Sequence, residues 1–404
     1  MTPPYETSLQ MTICREHWNA NYIRTERREF SLEVLVLSCG TGGGHNSAAA
    51  AVKEEFLRRG HGVTAMNPFD LQGGKLSQRV DNAYISVAQS APGGFGAIYA
   101  VGNAYRRLPW RSPVYFANGY AGSALADFLH SHPVDAIVMT HLFPAEMLTY
   151  LRNHGEKIPK TIYVDTDYTC IPFMEETDCD AYITPTPMLT QEFTARGIRQ
   201  ERIYPLGIPV RSSFHCDLTQ AQARAALNLQ PDKRYLLVSG GSIGAGKLEK
   251  AIRLLCGITE GTDFRLIVIC GSNASVCRHL EKHYGDRLEL IGQTDRMAEY
   301  LRACDLYFTK PGGLSTTEAA VMEAPLALLP PIPGCETRNR ALFTQTGMAI
   351  QADPHPRALE NVLDLLNRPE KLEHMRECQR SIIPKNAAQR ICDLAEAMAA
   401  GKAE

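Results

Sequence analysis

The sequence predicts two doubly wound α/β domains of similar size, joined near residue 210. Three observations support this. Short apolar runs alternate with helical stretches, the alternation restarts after a Gly- and Pro-rich segment at 207–211, and each domain begins with a strand and a glycine-rich loop. Continuous apolar runs are typical of strands in parallel sheets that helices cover on both faces. A chain of 404 residues has room for two or three domains at about 150 residues each.

The first domain is predicted over residues 31–209, after a polar lead-in at 1–30. Its strands are predicted at 32–37, 62–66, 136–139, 160–164, 181–184 and 202–205. A helix at 47–59 is predicted to end before Gly60, because glycine is typical of helix C-termini. Further helices are predicted from about residue 144 and up to residue 196. Residues 70–130 interrupt this alternation of strands and helices and are predicted to form a helical, aromatic and loop-rich insertion.

The second domain is predicted over residues 210–380. Its strands are predicted at 235–238, 264–270, 288–291, 306–309 and 326–329, with a helix at 247–256 after the first strand. The last segment, 381–404, is predicted to be a helix that crosses back to the first domain.

The composition argues against several classes of function. Lys and Arg total 42 against 44 for Asp and Glu, a net charge of −2, so nucleic-acid binding through bulk charge is not expected. No apolar run has the roughly 18 residues that a membrane-spanning helix needs, and no secretion leader is evident. The twelve cysteines form no CxxC pair, which argues against zinc-ribbon, iron–sulfur and thioredoxin sites. We expect reduced thiols in a cytoplasmic protein.

The first glycine-rich loop, residues 38–45, places a histidine where a ligand is expected. In a dinucleotide-binding G-x-G-x-x-G pattern that begins at Gly40, the third glycine position holds His45, whose ring argues against a nicotinamide cofactor. Ligands of open α/β sheets bind at this edge of the sheet. His45 is therefore a candidate for chemistry, and the alternative is that it only caps the helix.

Two further glycine-rich loops favour a diphosphate ligand. Residues 239–247 resemble a phosphate-binding P-loop but have Leu248 where a magnesium-binding Ser or Thr is required, which favours a diphosphate held by backbone amides alone. In residues 310–319, Glu318 lies in the helix that follows a glycine turn, where a carboxylate can accept both ribose hydroxyls. The alternative is a solvated glutamate near a helix start. In the next turn, Glu336 and Asn339 are three residues apart and share a face if a helix begins there.

Four motifs together resemble one enzyme family. The loop TGGGH (41–45), the segment GIPVR (207–211), the loop GGSIGAG (240–246) and the run KPGGLSTTEA (310–319) with PIPGCETRN (331–339) are similar to the monogalactosyldiacylglycerol synthase family. That family includes the bacterial processive diacylglycerol glucosyltransferases, and a more distant likeness is to the N-acetylglucosaminyltransferase that makes lipid II. The resemblance spans residues 31–395.

The resemblance implies a GT-B fold, in which two Rossmann-like domains face a cleft. It also implies that the C-terminal domain binds a UDP-hexose and the N-terminal domain a lipid acceptor such as diacylglycerol. The implied reaction inverts the anomeric carbon without a metal or other cofactor, at the cytoplasmic face of the membrane. Alternatives on the same fold are a UDP-sugar epimerase or hydrolase and a transferase to another acceptor. A non-catalytic nucleotide-sugar-binding protein and a dinucleotide oxidoreductase are further alternatives.

The resemblance also assigns roles to individual residues. His45 matches the catalytic base. Asp165 and Asp167 are candidates to orient it because their predicted strand ends on the same side of the sheet, and the family matches only Thr166 and Asp167 here. The triplet at 165–167 also resembles a metal-binding D-x-D motif, an interpretation that the surrounding βα rhythm disfavours. The predicted donor-binding residues are Gly241, Ser242, Ile243, Gly244, Gly271, Gly292, Gly312, Gly313, Ser315, Thr316, Glu318, Glu336 and Asn339.

The acceptor and membrane side is predicted at Gly43, Gly44, Arg106, Arg107, Trp110 and Arg111, since arginine beside aromatic residues suits an anionic membrane surface. The alternative is an ordinary packed loop with solvated arginines. Cys335 stands where the family usually has Gln, which leaves the donor sugar open. The stretch after Asp167 lacks the family's usual His and Trp, which leaves the acceptor open as well.

Overall fold

The computed structural model describes residues 31–40, 43–73, 100–102, 104–106, 110–240 and 248–401. The predicted lead-in, Arg107 and the loop residues Gly241, Ser242, Ile243 and Gly244 lie outside these ranges. Two parallel six-stranded sheets follow one another along the chain, in the orders β2-β1-β3-β4-β5-β6 and β12-β11-β10-β7-β8-β9. The predicted pair of doubly wound domains is therefore confirmed.

The strands lie close to their predicted positions. The first sheet contains β1 (Glu33–Leu37), β2 (Gly62–Met66), β3 (Ala136–Met139), β4 (Lys160–Val164), β5 (Ala181–Ile183) and β6 (Ile203–Tyr204). The second contains β7 (Arg234–Ser239), β8 (Phe264–Ile269), β9 (Leu288–Ile291), β10 (Leu306–Thr309), β11 (Leu326–Leu328) and β12 (Ile350–Gln351). The two-residue strand β12 was not predicted, because so short a pairing leaves no periodic pattern.

Helices cover the sheets. Those before the Gly- and Pro-rich segment at 207–211 are α1 (Gly43–Arg58), α2 (Pro113–Ala121), α3 (Ser123–Ser131), α4 (Leu142–Asn153) and α5 (Thr190–Ala195). Those after it are α6 (Gln220–Ala226), α7 (Leu248–Ile258), α8 (Ala274–Tyr284), α9 (Met297–Ala303), α10 (Gly313–Val321), α11 (Cys335–Gln345), α12 (Pro356–Asp364), α13 (Pro369–Ile382) and α14 (Ala387–Ala399). No helix of the described ranges is long and apolar enough to cross a membrane.

Helix α1 begins four residues earlier than predicted, inside the glycine run. Glycine is unfavourable in a helix by roughly 1 kcal/mol relative to alanine, so the sequence predicts a loop there. Tertiary contacts oppose this preference: the Thr140 hydroxyl donates to the His45 carbonyl oxygen at 3.0 Å, and Gly44 lies beside Leu314 of α10. His45 consequently lies in the first turn of a helix.

Each sheet has a switch point, where consecutive connections leave one strand in opposite directions. In the first sheet β1 lies between β2 and β3, and in the second β7 lies between β8 and β10. Crevices outside the carboxyl ends of such strands are where α/β sheets bind ligands. His45 and Thr140 follow β1 and β3, while Ser239 and Lys310 lie at the ends of β7 and β10.

The last helix, α14, packs on the outer face of the first sheet. Its buried residues Ile391 and Cys392 share a hydrophobic cluster with Val34 and Val36 of β1. At its edge, Arg59 contacts Asp393 at 2.6 Å. The chain therefore crosses between the domains twice. The crossings lie side by side, since a Cβ at Gly207, which has a φ of 99°, would lie 3.0 Å from Pro384.

Candidate active site between the two domains

His45 is held by backbone and hydroxyl groups. Its Nδ1 lies 2.7 Å from the Thr140 carbonyl oxygen and 2.9 Å from the Thr166 hydroxyl. A carbonyl only accepts, so Nδ1 carries the proton and Nε2 is left to act as an acceptor. The ring is therefore fixed in the tautomer that a general base needs. Neither of the two carboxylates considered from the sequence orients it directly.

The electrostatic surroundings keep this ring neutral. Burial lowers the pKa of His45 below its usual 6.5, while the charge of Asp167 and the hydrogen bond to Thr140 act in the opposite direction. His141 packs edge-on against it, with 4.6 Å between the ring centres. The pKa of His141 is also far below its usual value. Burial is the main cause, and the nearby His45 lowers it further. Both imidazoles are therefore uncharged near pH 7.

The loop after β4 carries both predicted aspartates, in different surroundings. Asp167 accepts a hydrogen bond from Asn339 Nδ2 at 2.8 Å and one from the Cys335 thiol. Burial raises the pKa of Asp167, and these donors together with His45 partly offset it. Asp165 is almost completely buried and accepts from the Asp167 N–H at 3.3 Å. Burial and the neighbouring Asp167 raise the pKa of Asp165 far above its usual range.

This loop of the first domain contacts the second domain directly. The Tyr168 N–H donates to Asn339 Oδ1 at 2.7 Å, and the Tyr168 hydroxyl lies 2.7 Å from the Thr317 hydroxyl of α10. The Thr166 carbonyl oxygen lies so close to Gly313 that a Cβ there would be 1.9 Å away. The two domains are thus in contact at the predicted site residues, and Gly313 is a glycine because a neighbouring backbone occupies the space of a side chain.

An ion pair lies at the start of α11. Lys310 Nζ contacts Glu336 Oε1, and Glu336 Oε2 accepts from the Ile332 N–H at 2.9 Å. Burial alone would lower the pKa of Lys310, but Glu336 and other nearby acidic groups raise it overall, so the lysine is charged. Both oxygens of Glu336, a predicted donor-sugar contact, are therefore engaged within the protein.

A cavity of about 410 Å³ lies between the domains, within the usual size range for ligand pockets. It is lined by Gly43, Gly44, Ser47, Arg211, Phe214, Ser239, Ile269, Gly271, Ser272, Gln293, Thr294, Met297, Tyr307, Leu314, Ser315 and Glu318. Burial raises the pKa of Glu318 to about 7, although Arg211 and a hydrogen bond from Ser47 act against this shift. The carboxyl group therefore titrates near neutral pH.

The predicted site residues fall into two neighbouring groups. Gly43, Gly44, Gly271, Ser315 and Glu318 line the cavity. His45, Asp167, Gly312, Gly313, Thr316, Glu336 and Asn339 lie in or beside the polar contacts between the domains. Gly292 is exposed immediately before Gln293 of the cavity wall. The completely buried Thr316 hydroxyl donates to carbonyl groups of its own helix start, at 2.9 Å to Gly312.

Of the arginines predicted to face the membrane, the two that the structure describes, Arg106 and Arg111, are engaged within the protein. The side chain of Arg106 is 8% exposed and paired with Glu175. Arg111 donates to the Glu176 carbonyl oxygen and lies 4.3 Å from the centre of the Tyr115 ring. By contrast, three aromatic side chains are strongly exposed: Trp110 (60%), Phe116 (57%) and Tyr120 (87%). We call these three residues the aromatic patch.

Sequence reasoning missed several residues of the site. Thr140 and Lys310 directly follow predicted strands at the ligand-binding edge, so their place in the site could have been predicted from the sequence. Arg211 lies in the GIPVR motif and Ser47 at the start of the predicted helix 47–59, and neither position by itself indicates a role in binding. Tyr168 and Thr317 meet only because the domains are in contact, and no local pattern indicates such a pair.

Comparison with known proteins agrees with this architecture. Residues 45–210 match the family model described as monogalactosyldiacylglycerol (MGDG) synthase, and residues 235–391 match the glycosyltransferase family 28 C-terminal domain. A processive diacylglycerol beta-glucosyltransferase of Bacillus pumilus (strain SAFR-032) is 27% identical over 367 residues. The match covers 89% of this chain and 94% of the relative.

Solved structures show the same fold at low sequence identity. MurG of Acinetobacter baumannii superposes with a TM-score of 0.59 at 15% identity and covers 91% of this chain and 100% of its own. A UDP-N-acetylglucosamine 2-epimerase gives a TM-score of 0.62 at 13% identity, covering 93% of this chain and 98% of its own. These likenesses establish the GT-B fold and nothing about the reaction.

Proposed function

The chain belongs to the MGDG synthase family of GT-B glycosyltransferases with a family 28 C-terminal domain, and from this premise we propose that it transfers a hexose from a UDP-sugar to a lipid acceptor such as diacylglycerol. The observation that carries the proposal is a neutral, tautomer-fixed His45 beside an interdomain cavity of about 410 Å³, which its neighbours Gly44 and Ser47 line. The name of the Bacillus pumilus relative supports diacylglycerol as the first acceptor to test.

The donor diphosphate is proposed to lie at the start of α10. This helix has Gly312 at its N-cap and no side chain that caps it, so its first amides have no partner within the helix. Leu314 and Ser315 of this first turn line the cavity. Arg211 also lines it, and its buried Nε has no hydrogen-bond partner among the described residues. Amides, helix dipole and guanidinium together stabilise a leaving diphosphate, the task that a metal performs in other enzymes. We therefore propose that no metal is required, and that EDTA leaves turnover unchanged.

Glu318 is proposed to accept the two ribose hydroxyls of the nucleotide. Its carboxylate lies in the same cavity, on the helix whose first turn would hold the diphosphate. An ionised carboxylate has acceptor sites for two hydroxyl donors. The pKa of about 7 means that ligand binding, which favours the ionised form, draws a proton off this group.

His45 is proposed as the base that activates the acceptor. A lipid hydroxyl attacks the anomeric carbon on the face opposite to the diphosphate and gives its proton to Nε2. The new C–O bond forms as the bond to UDP breaks, and UDP leaves with the electron pair, so the configuration inverts. General-base help of this kind contributes about 10²–10⁴-fold to the rate. The charge of Asp167 stabilises the imidazolium that results.

The aromatic patch is proposed as the membrane contact. Trp and Tyr side chains suit the headgroup region because each combines an apolar ring with a polar group. Since Arg106 and Arg111 are engaged within the domain, we propose that aromatic insertion contributes more to membrane binding than attraction to anionic lipid does.

We further propose that the protein acts at the cytoplasmic face of the membrane. The cysteines among the described residues are free thiols, and thiols stay reduced in that compartment.

The proposal is tested by UDP release. The protein is incubated with UDP-glucose or UDP-galactose and with phosphatidylcholine liposomes that contain or lack diacylglycerol. We expect release that depends on diacylglycerol, together with a new glycolipid. Equal release without diacylglycerol would mean a hydrolase, and interconversion of the UDP-sugars without release would mean an epimerase. Either result would overturn the proposal.

A further inference from the structure

Asn339 is the centre of the contact between the two domains. It lies on α11 of the second domain and is completely buried. Its amide nitrogen donates to Asp167 Oδ1 at 2.8 Å and to the Pro311 carbonyl oxygen at 3.0 Å. Its amide oxygen accepts from the Tyr168 N–H at 2.7 Å. Both N–H donors are therefore used within the protein, although family resemblance assigns this position to the donor sugar.

Further contacts with the second domain hold the loop after β4, which carries Asp167 and Tyr168. The Tyr168 hydroxyl lies 2.7 Å from the Thr317 hydroxyl, and its ring packs edge-on against Phe343 with 4.9 Å between the centres. Tyr168 belongs to the first domain, whereas Thr317 and Phe343 belong to α10 and α11 of the second. Two hydrogen bonds and a ring contact therefore fix the peptide next to Asp167, and all three join the two domains.

We propose that Asn339 is a positioning residue that couples closure of the two domains to the placement of the Asp167 carboxylate near His45. This inference rests on the proposed function, in which His45 is the base. When the domains separate, Asp167 loses the Asn339 amide and the Cys335 thiol, the donors that α11 supplies. Its carboxylate then no longer has a fixed position from which to stabilise an imidazolium. The base is therefore complete only in the closed cleft, which prevents transfer of the sugar to water while the cleft is open.

The first test uses amide hydrogen exchange and needs no substrate. In the unliganded protein, the Tyr168 amide should be protected by its bond to Asn339. In Asn339→Ala this amide should exchange about tenfold faster or more, because a buried hydrogen bond is lost. The matched control is Gln379→Ala. Gln379 is an equally buried amide of the second domain that donates to the Ala324 and Met348 carbonyls, at 3.1 and 2.9 Å, without reaching the first domain. Faster Tyr168 exchange in the Asn339 variant alone supports the proposal, and unchanged exchange in that variant overturns it.

The second test separates positioning from sugar binding. We expect Asn339→Ala to lower kcat about tenfold or more while the KM for the UDP-sugar changes much less, because an interaction that acts on the transition state is lost. Tyr168→Phe, which removes only the contact with Thr317, should shift kcat in the same direction by a smaller factor. A large rise in donor KM with a changed preference between UDP-glucose and UDP-galactose would mean a direct sugar contact and would overturn the inference. If the wild-type protein transfers no sugar, the proposed function fails, whereas the exchange experiment still reports on the contact.

Discussion

Replacing Gly313 with alanine is the sharpest test of domain closure. The added Cβ would lie 1.9 Å from the Thr166 carbonyl oxygen, 2.9 Å from its carbonyl carbon and 3.2 Å from Asp167 Cα. These are backbone atoms, so no side-chain rotation relieves the clash. Ordinary contact begins at 3.4 Å, so the loop and α10 must separate by about 1.5 Å.

We expect this substitution to lower the turnover rate rather than to destabilise helix α10. A misplacement of about 1 Å in an active site lowers rates by roughly 10²-fold, so we expect Gly313→Ala to lose at least that much turnover. Alanine is a better helix former than glycine by about 1 kcal/mol, so α10 itself should not be weakened. A thermal melt close to that of the wild type, combined with faster exchange at the Tyr168 amide, would locate the defect at the contact.

The assay compares this variant with Gly257→Ala, another glycine-to-alanine exchange within a helix of the second domain. A Cβ at Gly257 meets nothing within 4 Å, so this control should keep its turnover and gain slightly in stability. Diacylglycerol-dependent UDP release is measured for both. Wild-type turnover and wild-type Tyr168 exchange in Gly313→Ala would refute the claim that the closed contact is the active arrangement.

Two further predictions concern the nucleotide and the membrane. Burial raises the pKa of Glu318 to about 7, so its carboxyl group is protonated below that pH and ionised above it. If only the ionised form accepts the ribose hydroxyls, UDP affinity measured by calorimetry should rise about tenfold from pH 6 to pH 8. In Glu318→Gln only the titration of UDP itself should remain, and an unchanged pH dependence in that variant would contradict the assignment. Replacing Trp110 and Phe116 together with serine should lower co-sedimentation with neutral vesicles about tenfold or more, since each aromatic ring contributes on the order of 1.5–3 kcal/mol when buried. Leu57→Ser, at a side chain of α1 that is 50% exposed, is the matched control, and equal losses in both proteins would argue against a specific patch.

Local sequence patterns predicted most of the fold. Strands buried on both faces leave continuous apolar runs, and all the strands except β12 were located from them. The position of His45 at a sheet edge was also predictable, because ligands bind where β1 and its neighbours diverge. The start of α1 was predicted too late, since contacts with Thr140 and Leu314 outweigh the helix preference of glycine.

Contacts between distant segments were not predictable from these patterns. The arginines beside Trp110 predict an exposed basic surface, but the side chain of Arg106 is largely buried and paired with Glu175, a partner far along the chain. Asn339 likewise donates a hydrogen bond to Asp167 of the other domain, and this contact depends on how the two domains pack together. Such residues are polar and carry no periodic signal, so only the assembled structure reveals what they contact.

The most direct test of the central claim, that His45 is the general base, is the turnover of its variants. Asn at position 45 can still offer an amide hydrogen to the Thr140 carbonyl oxygen but has no ring nitrogen to accept a proton. We predict that both His45→Asn and His45→Ala lower diacylglycerol-dependent turnover by about 10²–10⁴-fold, while the Kd for UDP stays near that of the wild type. Near-normal turnover in either variant would contradict the assignment of His45 as the base.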